Sequence, residues 1–218
     1  MVRLFVAEAL SVDKTIRASK EHTHYLEKVM RVPIVSVGLF NNKDGEFLAT
    51  YEAGYFNITS QIRVFEHPPK KALAFGLIKS HRLSWLIEKS CELGVTDLFP
   101  LITQRVQSQV FKEDRYQRIL IEAAEQCGRI DLPHLREVSS LDTFLRNLPA
   151  EYSWHFGSFS SSSVLKKHEN QGYIVGPEGG MTEKEEQTLT DFDIIPFSMG
   201  SLTLRAETAG LWCLSQFA

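Results

Sequence analysis

The chain has no long hydrophobic run. No apolar stretch approaches the roughly 20 residues that a membrane-crossing helix requires. The opening Met-Val-Arg-Leu-Phe-Val is too short, and too soon followed by Glu8, to read as a signal peptide. Cysteine is scarce: three among 218 residues, Cys91, Cys127 and Cys213, far apart and without a CxxC pair. That spacing excludes a disulfide framework and a zinc site, so no metal is expected, and it points to a reducing cytoplasm. Each cysteine falls on an apolar helical face and is expected as a buried core thiol. Positive charge is not in excess either, with 24 Lys+Arg against 27 Asp+Glu and a net charge of −3. A nucleic-acid partner would have to be met by local clusters. Internal repeats and heptads are absent.

Short alternating runs fill the first 70 residues: RLFVAE (3–8), PIVSVGLF (33–40), EFLATYEA (46–53) and YFNITSQIRVFE (55–66). Turn signals separate them, Asn41-Asn42-Lys43-Asp44-Gly45 and Gly54, and a short helix is expected near 21–30. The pattern fits a small barrel or a small sandwich alike. His67-Pro68-Pro69-Lys70-Lys71 breaks it, which places a domain boundary at 70/71. Beyond it the texture alternates between strand and helix. ALAFGLI (72–78) is continuously apolar, as in a strand buried on both faces. Ser80 is placed to cap a helix that Gly94 stops. Further strands are expected at 97–102, 153–156, 173–175 and 193–198, and helices at 113–127 and 206–217. The serine run 160–163 reads as a loop. Residues 71–218 are therefore expected as an α/β domain with a parallel sheet.

Residues 173–185, YIVGPEGGMTEKE, join a strand to a helix through a glycine-rich loop. Such junctions often hold phosphates, but this one lacks the chemistry for it. It has neither the Gly-Lys-Ser/Thr ending nor the G-x-G-x-x-G spacing, which argues against a kinase or ATPase. Pro177 removes a backbone donor and Glu178 puts a carboxylate where a phosphate would sit. A ligand without phosphates fits better: sugar hydroxyls, a purine edge or a cation. Thr182 and Glu185 form a T-x-x-E capping box behind the loop. Taken alone, the segment is equally a plain strand–turn–helix junction. A second junction, FSMGSLTLRAETA (197–209), places Gly200 after a strand and Arg205 and Glu207 at a helix start. Two such loops at one sheet edge mark where open α/β sheets bind ligands. Taken alone, Arg205 and Glu207 read as a surface ion pair.

The two loops together resemble the RsmE family of ribosomal RNA methyltransferases, of the SPOUT class. So do His24-Tyr25-Leu26 with Val29-Met30-Arg31, LIKSHRLSWLIEKSCELGV (77–95), Gln104-Arg105, and EAAEQCGRIDLPHL (122–135). Nearly the whole chain is covered, in order. The resemblance implies an RNA-binding PUA-like β-barrel over 1–70 and a SPOUT methyltransferase domain over 71–218, with a deep trefoil knot in its C-terminal half. It implies S-adenosylmethionine as cofactor, a homodimer, and methylation of N3 of one uridine in 16S RNA of the small subunit. Uridine N3 faces its pairing partner, so the base must be unpaired or flipped.

Cofactor contacts are implied at Phe156, Gly176, Pro177, Glu178, Gly179, Gly180, Met199, Gly200, Ser201, Leu202 and Leu204. Arg205 is implied as the group that stabilises the uridine anion, with Glu207 orienting it or serving as a helix-start carboxylate. RNA contacts are expected at Arg3, Arg31, Lys79, Arg82, Arg105 and Arg129. His81, His134 and His155 lie outside the loop motifs and are expected in surface or core roles. One departure stands out: the family reads L-G-x-R-I-L-R-x-E-T-A where this chain has Leu202 in place of the first arginine, leaving Arg205. Two other readings share these loops: a SPOUT methyltransferase with another RNA target, and a non-catalytic rRNA-binding assembly factor with a decayed knot.

Overall fold

A turn at Asn41 sets the register of the first sheet. In the computed structural model, which describes residues 1–32, 34–108, 110–166 and 168–216, Asn41 Oδ1 accepts from the N–H groups of Lys43 (3.0 Å) and Asp44 (2.7 Å). This Asx turn folds strand β3 (Ile34–Asn41) back onto β4 (Gly45–Glu52). The Ala53-Gly54 pair, with φ of 49° and 86°, turns β4 into β5 (Tyr55–Arg63) in the sense that matches strand twist. Strand β1 (Val2–Phe5) lies parallel to β3, and β2 (Thr15–Arg17) pairs antiparallel with β5. The order is β1-β3-β4-β5-β2. Among the described residues no pairing joins β1 to β2, so a closed barrel ladder is not seen. The expected helix is α1 (Lys20–His24), capped by Ser19 Oγ and continued by a π turn over Tyr25–Val29. Leu26 drops from that turn into a core with Leu39, Ala49, Tyr51 and Phe56.

The chain forms two compact units, Met1–His67 with Ile121–Leu132, and Pro68–Leu120 with Pro133–Ala218. The expected 70/71 boundary does not anticipate the return of Ile121–Leu132. That stretch ends helix α3 (Glu113–Cys127) and is tied to the first unit by Arg3. The guanidinium donates to Glu46 Oε1 (2.7 Å) and to the carbonyls of Ala124 (3.0 Å), Glu125 (3.1 Å) and Arg129 (2.5 Å). A cation on the free carbonyls of a helix end is favourable. Arg63 shares the same buried Glu46. Cys127, the last residue of α3, is exposed rather than buried, while Cys91 and Cys213 are core thiols.

The second unit is a parallel sheet of seven strands. Its path is β12 (Ile195–Phe197), β10 (Ser153–Gly157), β11 (Gln171–Val175), β6 (Lys71–Gly76), β7 (Asp97–Ile102) and β8 (His134–Leu135), with β9 (Ser139–Ser140) also on β7. Both central strands, β6 and β11, are buried almost throughout, as a sheet covered on both faces requires. One face packs Trp154, Phe156 and Ile174 with α4 (Leu141–Arg146) and Leu189 of α5 (Glu183–Asp191). On the other, α2 (Ser80–Glu92) packs against α6 (Ala206–Ser215), which also covers β6 and β11. Ser80 is the first residue of α2 rather than its cap, a position taken by Lys79. Helix α4 and the two-residue strands are too short for periodicity to reveal. Among the described residues no helix is long and apolar enough to cross a membrane, and no three His, Cys, Asp or Glu gather as metal ligands.

Candidate functional site

Because the strands are parallel, β10, β11 and β12 all end at one sheet edge, and their following loops converge there. They enclose a cavity of about 360 Å³, closed on its other sides by Arg82 of α2, Arg105 after β7 and Glu186 of α5. Pro177 and Glu178 of the first loop, and Met199, Leu204 and Arg205 of the second, line it.

The loop after β11 is held at every turn. Pro177 lies over β6 so closely that a Cβ on Gly76 would come within 2.6 Å of its Cδ. Its carbonyl accepts from Gly180 N–H at 2.8 Å. Arg105 Nη1 donates to the carbonyls of Gly179 (2.9 Å) and Met181 (3.1 Å). Glu178 Oε1 accepts from Lys79 N–H at 3.2 Å. The capping box is present, and Glu185 adds a third tie by accepting from Gln104 N–H at 2.8 Å.

The loop after β12 is more open. Gly200 adopts φ 102°, where a Cβ would meet nothing within 4 Å. Its glycine is therefore required by backbone conformation, not by close approach. Leu202 is 76% exposed. Arg205 takes the cap position of α6 with an extended backbone (φ −67°, ψ 153°). Its side chain is exposed on the cavity rim and, among the described residues, has no hydrogen-bond or ion-pair partner. Glu207 Oε1 lies 3.6 Å from Arg82 Nε.

The cavity wall holds some of the expected positions and not others. Phe156 is a core residue; strand alternation turns it with Trp154 toward α4 and α5, and Gly157 faces the cavity in its place. Ser201 is not on the cavity wall, while Gly200 and Leu202 border a small adjoining crevice. Among the expected RNA contacts, Arg3 is spent on Glu46 and helix carbonyls, and Arg129 pairs with Asp131 at 2.5 Å. Arg82 and Arg105 belong to the cavity. Arg31 and Lys79 are exposed. His155 is a core residue whose pKa burial lowers. The sequence reading missed Phe159, Thr203 and Glu186 on the wall. The capping box announced the helix turn that carries Glu186; the serine-rich loop gave no signal for Phe159.

Residues 66–218 match the model of the RNA methyltransferase domain family. Ribosomal RNA small subunit methyltransferase E of Rickettsia conorii is 31% identical, over 98% of this chain and 93% of its own length. That of Bacillus subtilis is 33% identical over 69% and 66%. The crystal structure of the same enzyme from Neisseria gonorrhoeae, bound to S-adenosyl methionine, superposes with a TM-score of 0.92 at 27% identity, over 99% of this chain and 96% of that one. A methyltransferase of Legionella pneumophila in complex with the same cofactor superposes with a TM-score of 0.90 at 30% identity, with the same coverage. Fold, cavity and sequence together place this chain in the RNA methyltransferase family, among the ribosomal RNA small subunit methyltransferases E.

Proposed function

We propose that the cavity binds S-adenosylmethionine and that the chain methylates N3 of one uridine in the 16S RNA of the small ribosomal subunit. The observation that carries this is the pairing of a phosphate-averse loop with a free guanidinium on the same rim. The cavity volume lies within the range of small-molecule sites. Val175, Pro177 and Leu204 give it apolar walls for a purine, and Glu178 and Glu186 give it carboxylates for hydroxyls or a cationic group. No lysine lines it. Bound there, S-adenosylmethionine supplies an electrophilic methyl carbon. The protein's part is to align, to exclude water and to stabilise charge. As the imide proton passes from N3 to bulk solvent, negative charge spreads to the uracil oxygens, and Arg205 donates to one of them. Arg205 cannot be the base, since its guanidinium stays protonated.

Further features follow from the same reading. The first unit is a PUA-like RNA-binding module, whose register shifts between β4 and β5 bend the sheet. The loops of residues 158–163 and 198–205, which are joined where Ser198 N–H donates to the Ser163 carbonyl, belong to a C-terminal trefoil knot. The enzyme works as a cytoplasmic homodimer. The hydrogen-bonded loop after β11 and an Arg205 without a partner among the described residues favour an enzyme over a decayed assembly factor. Calorimetry should detect S-adenosylmethionine and its demethylated product but not ATP, and mass spectrometry of 16S RNA from a deletion strain should show one lost methyluridine. A thermal shift with ATP and none with S-adenosylmethionine overturns the ligand. An intact methyluridine, with a methyl group missing elsewhere, moves the target to another RNA site.

A further inference from the structure

Arg82 is where the cavity wall and a buried charge network meet. It stands in the first turn of α2 and faces two carboxylates from distant parts of the chain. Nη1 lies 3.8 Å from Glu178 Oε1, in the loop after β11, and Nε lies 3.6 Å from Glu207 Oε1, in the first turn of α6. These separations exceed hydrogen-bond length, so charge, not geometry of donation, holds the trio. Glu207 retains only 9% of its side-chain exposure. Its Oε2 is buried and has no hydrogen-bond partner among the described residues. A buried carboxylate with an orphan oxygen is costly and calls for a reason. The compensation on hand is the Arg82 charge. Without it Glu207 becomes a buried, unpaired anion, and the available relief is for the first turn of α6 to swing toward water. Arg205 caps that turn, and its carbonyl accepts from Ala209 N–H at 2.8 Å. Arg205 would move with it.

We propose that Arg82 is a positioning residue. It fixes the spacing between the Glu178 loop and the Glu207 turn, and thereby sets where Arg205 stands over the cavity. Arg105 holds the same loop by its carbonyls, so the loop is gripped by two arginines through different atoms. An arginine suits the task because its delocalised charge spans the guanidinium, with Nη1 nearest Glu178 and Nε nearest Glu207, whereas a lysine ammonium is a compact point charge. The kinetic consequence rests on the methyltransferase reading; the structural one does not.

Two measurements on the full chain test this, with Arg82→Gln and, as a milder variant that leaves Arg82 in place, Glu207→Gln. The first is single-turnover methyl transfer to small-subunit particles, in a cycle of Arg82→Gln, Arg205→Ala and the double variant. Arg82→Gln should transfer methyl groups about 10-fold or more slowly, with cofactor Kd within about 3-fold of wild type. In the Arg205→Ala background it should cost less than about 3-fold, because residues that act through one another are not additive. Arg82→Lys should recover part of the rate. The second is amide hydrogen exchange without any ligand. Amides of the first turn of α6, from Ala209 onward, should exchange about 10-fold faster in Arg82→Gln, and by a smaller factor in Glu207→Gln, while those of β6 and β11 keep their wild-type rates. Fully additive rates, a wild-type rate, or unchanged exchange in α6 overturn the proposal. So does an increase that spreads to β6 and β11, which would make Arg82 a general support of the fold. If the wild-type chain transfers no methyl group, the methyltransferase reading falls and the exchange arm still decides the positioning role.

Discussion

Arg205 is exposed on the cavity rim, and its side chain is committed to nothing else among the described residues. A guanidinium so placed acts only by donating and by charge, so its removal should harm chemistry more than cofactor affinity. Arg205→Ala is expected to bind S-adenosylmethionine within a few-fold of wild type and to transfer methyl groups at least about 10²-fold more slowly. Arg205→Lys should recover part of that, because a point charge does not reproduce the planar fork. Leu202, where the family has another arginine, is turned to solvent and offers no substitute. Titration calorimetry beside single-turnover transfer checks both halves; a wild-type rate in Arg205→Ala would reduce the residue to a helix cap. Gly200 makes a different demand. At φ 102° any side chain is strained although the space beside it is empty. The penalty is on the order of 1–3 kcal/mol, and it falls on a loop that can refold locally. Gly200→Val should therefore lower cofactor affinity by about 10-fold or more while thermal stability stays close to wild type. Unchanged affinity by calorimetry would place the ligand away from this loop.

Helix α5 carries its own start signal, and that start also braces the cavity. Glu185 is buried and accepts from Thr182 N–H at 2.8 Å, Thr182 Oγ1 at 3.0 Å and Gln104 N–H at 2.8 Å. Removing the carboxylate orphans two backbone donors at once. Glu185→Ala should cost about 2–3 kcal/mol of stability, against about 1 kcal/mol for Thr182→Ala. In a chain of this size that separates the two by several degrees in a calorimetric melt; equal melting temperatures would mean that the Gln104 tie contributes nothing. This element was legible in the sequence because the capping box is local. So was α3, whose apolar positions run to its last residue and whose stop is Gly128, and so were the central strands β6 and β11, through the apolar runs at 72–75 and 173–175 that follow their polar first residues. What was not legible is non-local or very short. Nothing in Thr15-Ile16-Arg17 distinguishes a three-residue strand, and no local rule sends Ile121–Leu132 to the first unit. Phe156 was misplaced for a related reason. Sequence proximity to a loop does not say which face of the strand a side chain takes, and here the register with Trp154 decides it. The pairing of Arg82 with Glu178 and Glu207 joins residues far apart in the chain, so only the fold could reveal it.

At the scale of the whole molecule, a polyanionic substrate must be reconciled with a net charge of −3. There is no general field to draw RNA in, so binding must depend on a few exposed cations. The structure shortens that set. Arg3 and Arg129 are bound within the first unit, and Arg82 and Arg105 are engaged in the cavity wall. Arg31 and Lys79 remain exposed, as do Arg205 and, along a groove of the first unit, Arg17, Lys20 and Lys28. Each phosphate neutralised contributes roughly 0.7–0.9 to the slope of log affinity against log salt. The slope for this chain should therefore be shallow, about 2–5 in magnitude. Arg31→Ala, Lys28→Ala and Lys79→Ala should each reduce it by about 0.7–0.9 and leave the fold unchanged. Arg3→Ala should do the reverse. It empties four hydrogen bonds between β1, Glu46 and the end of α3, while Glu46 keeps Arg63, so stability should fall by about 2 kcal/mol and the salt slope should hold. Filter binding to 16S RNA fragments across a salt series, run beside thermal melts of the same variants, reads both quantities. If Arg3→Ala flattens the salt slope without lowering the melting temperature, Arg3 returns to the RNA surface and the first unit is held to the end of α3 by other contacts.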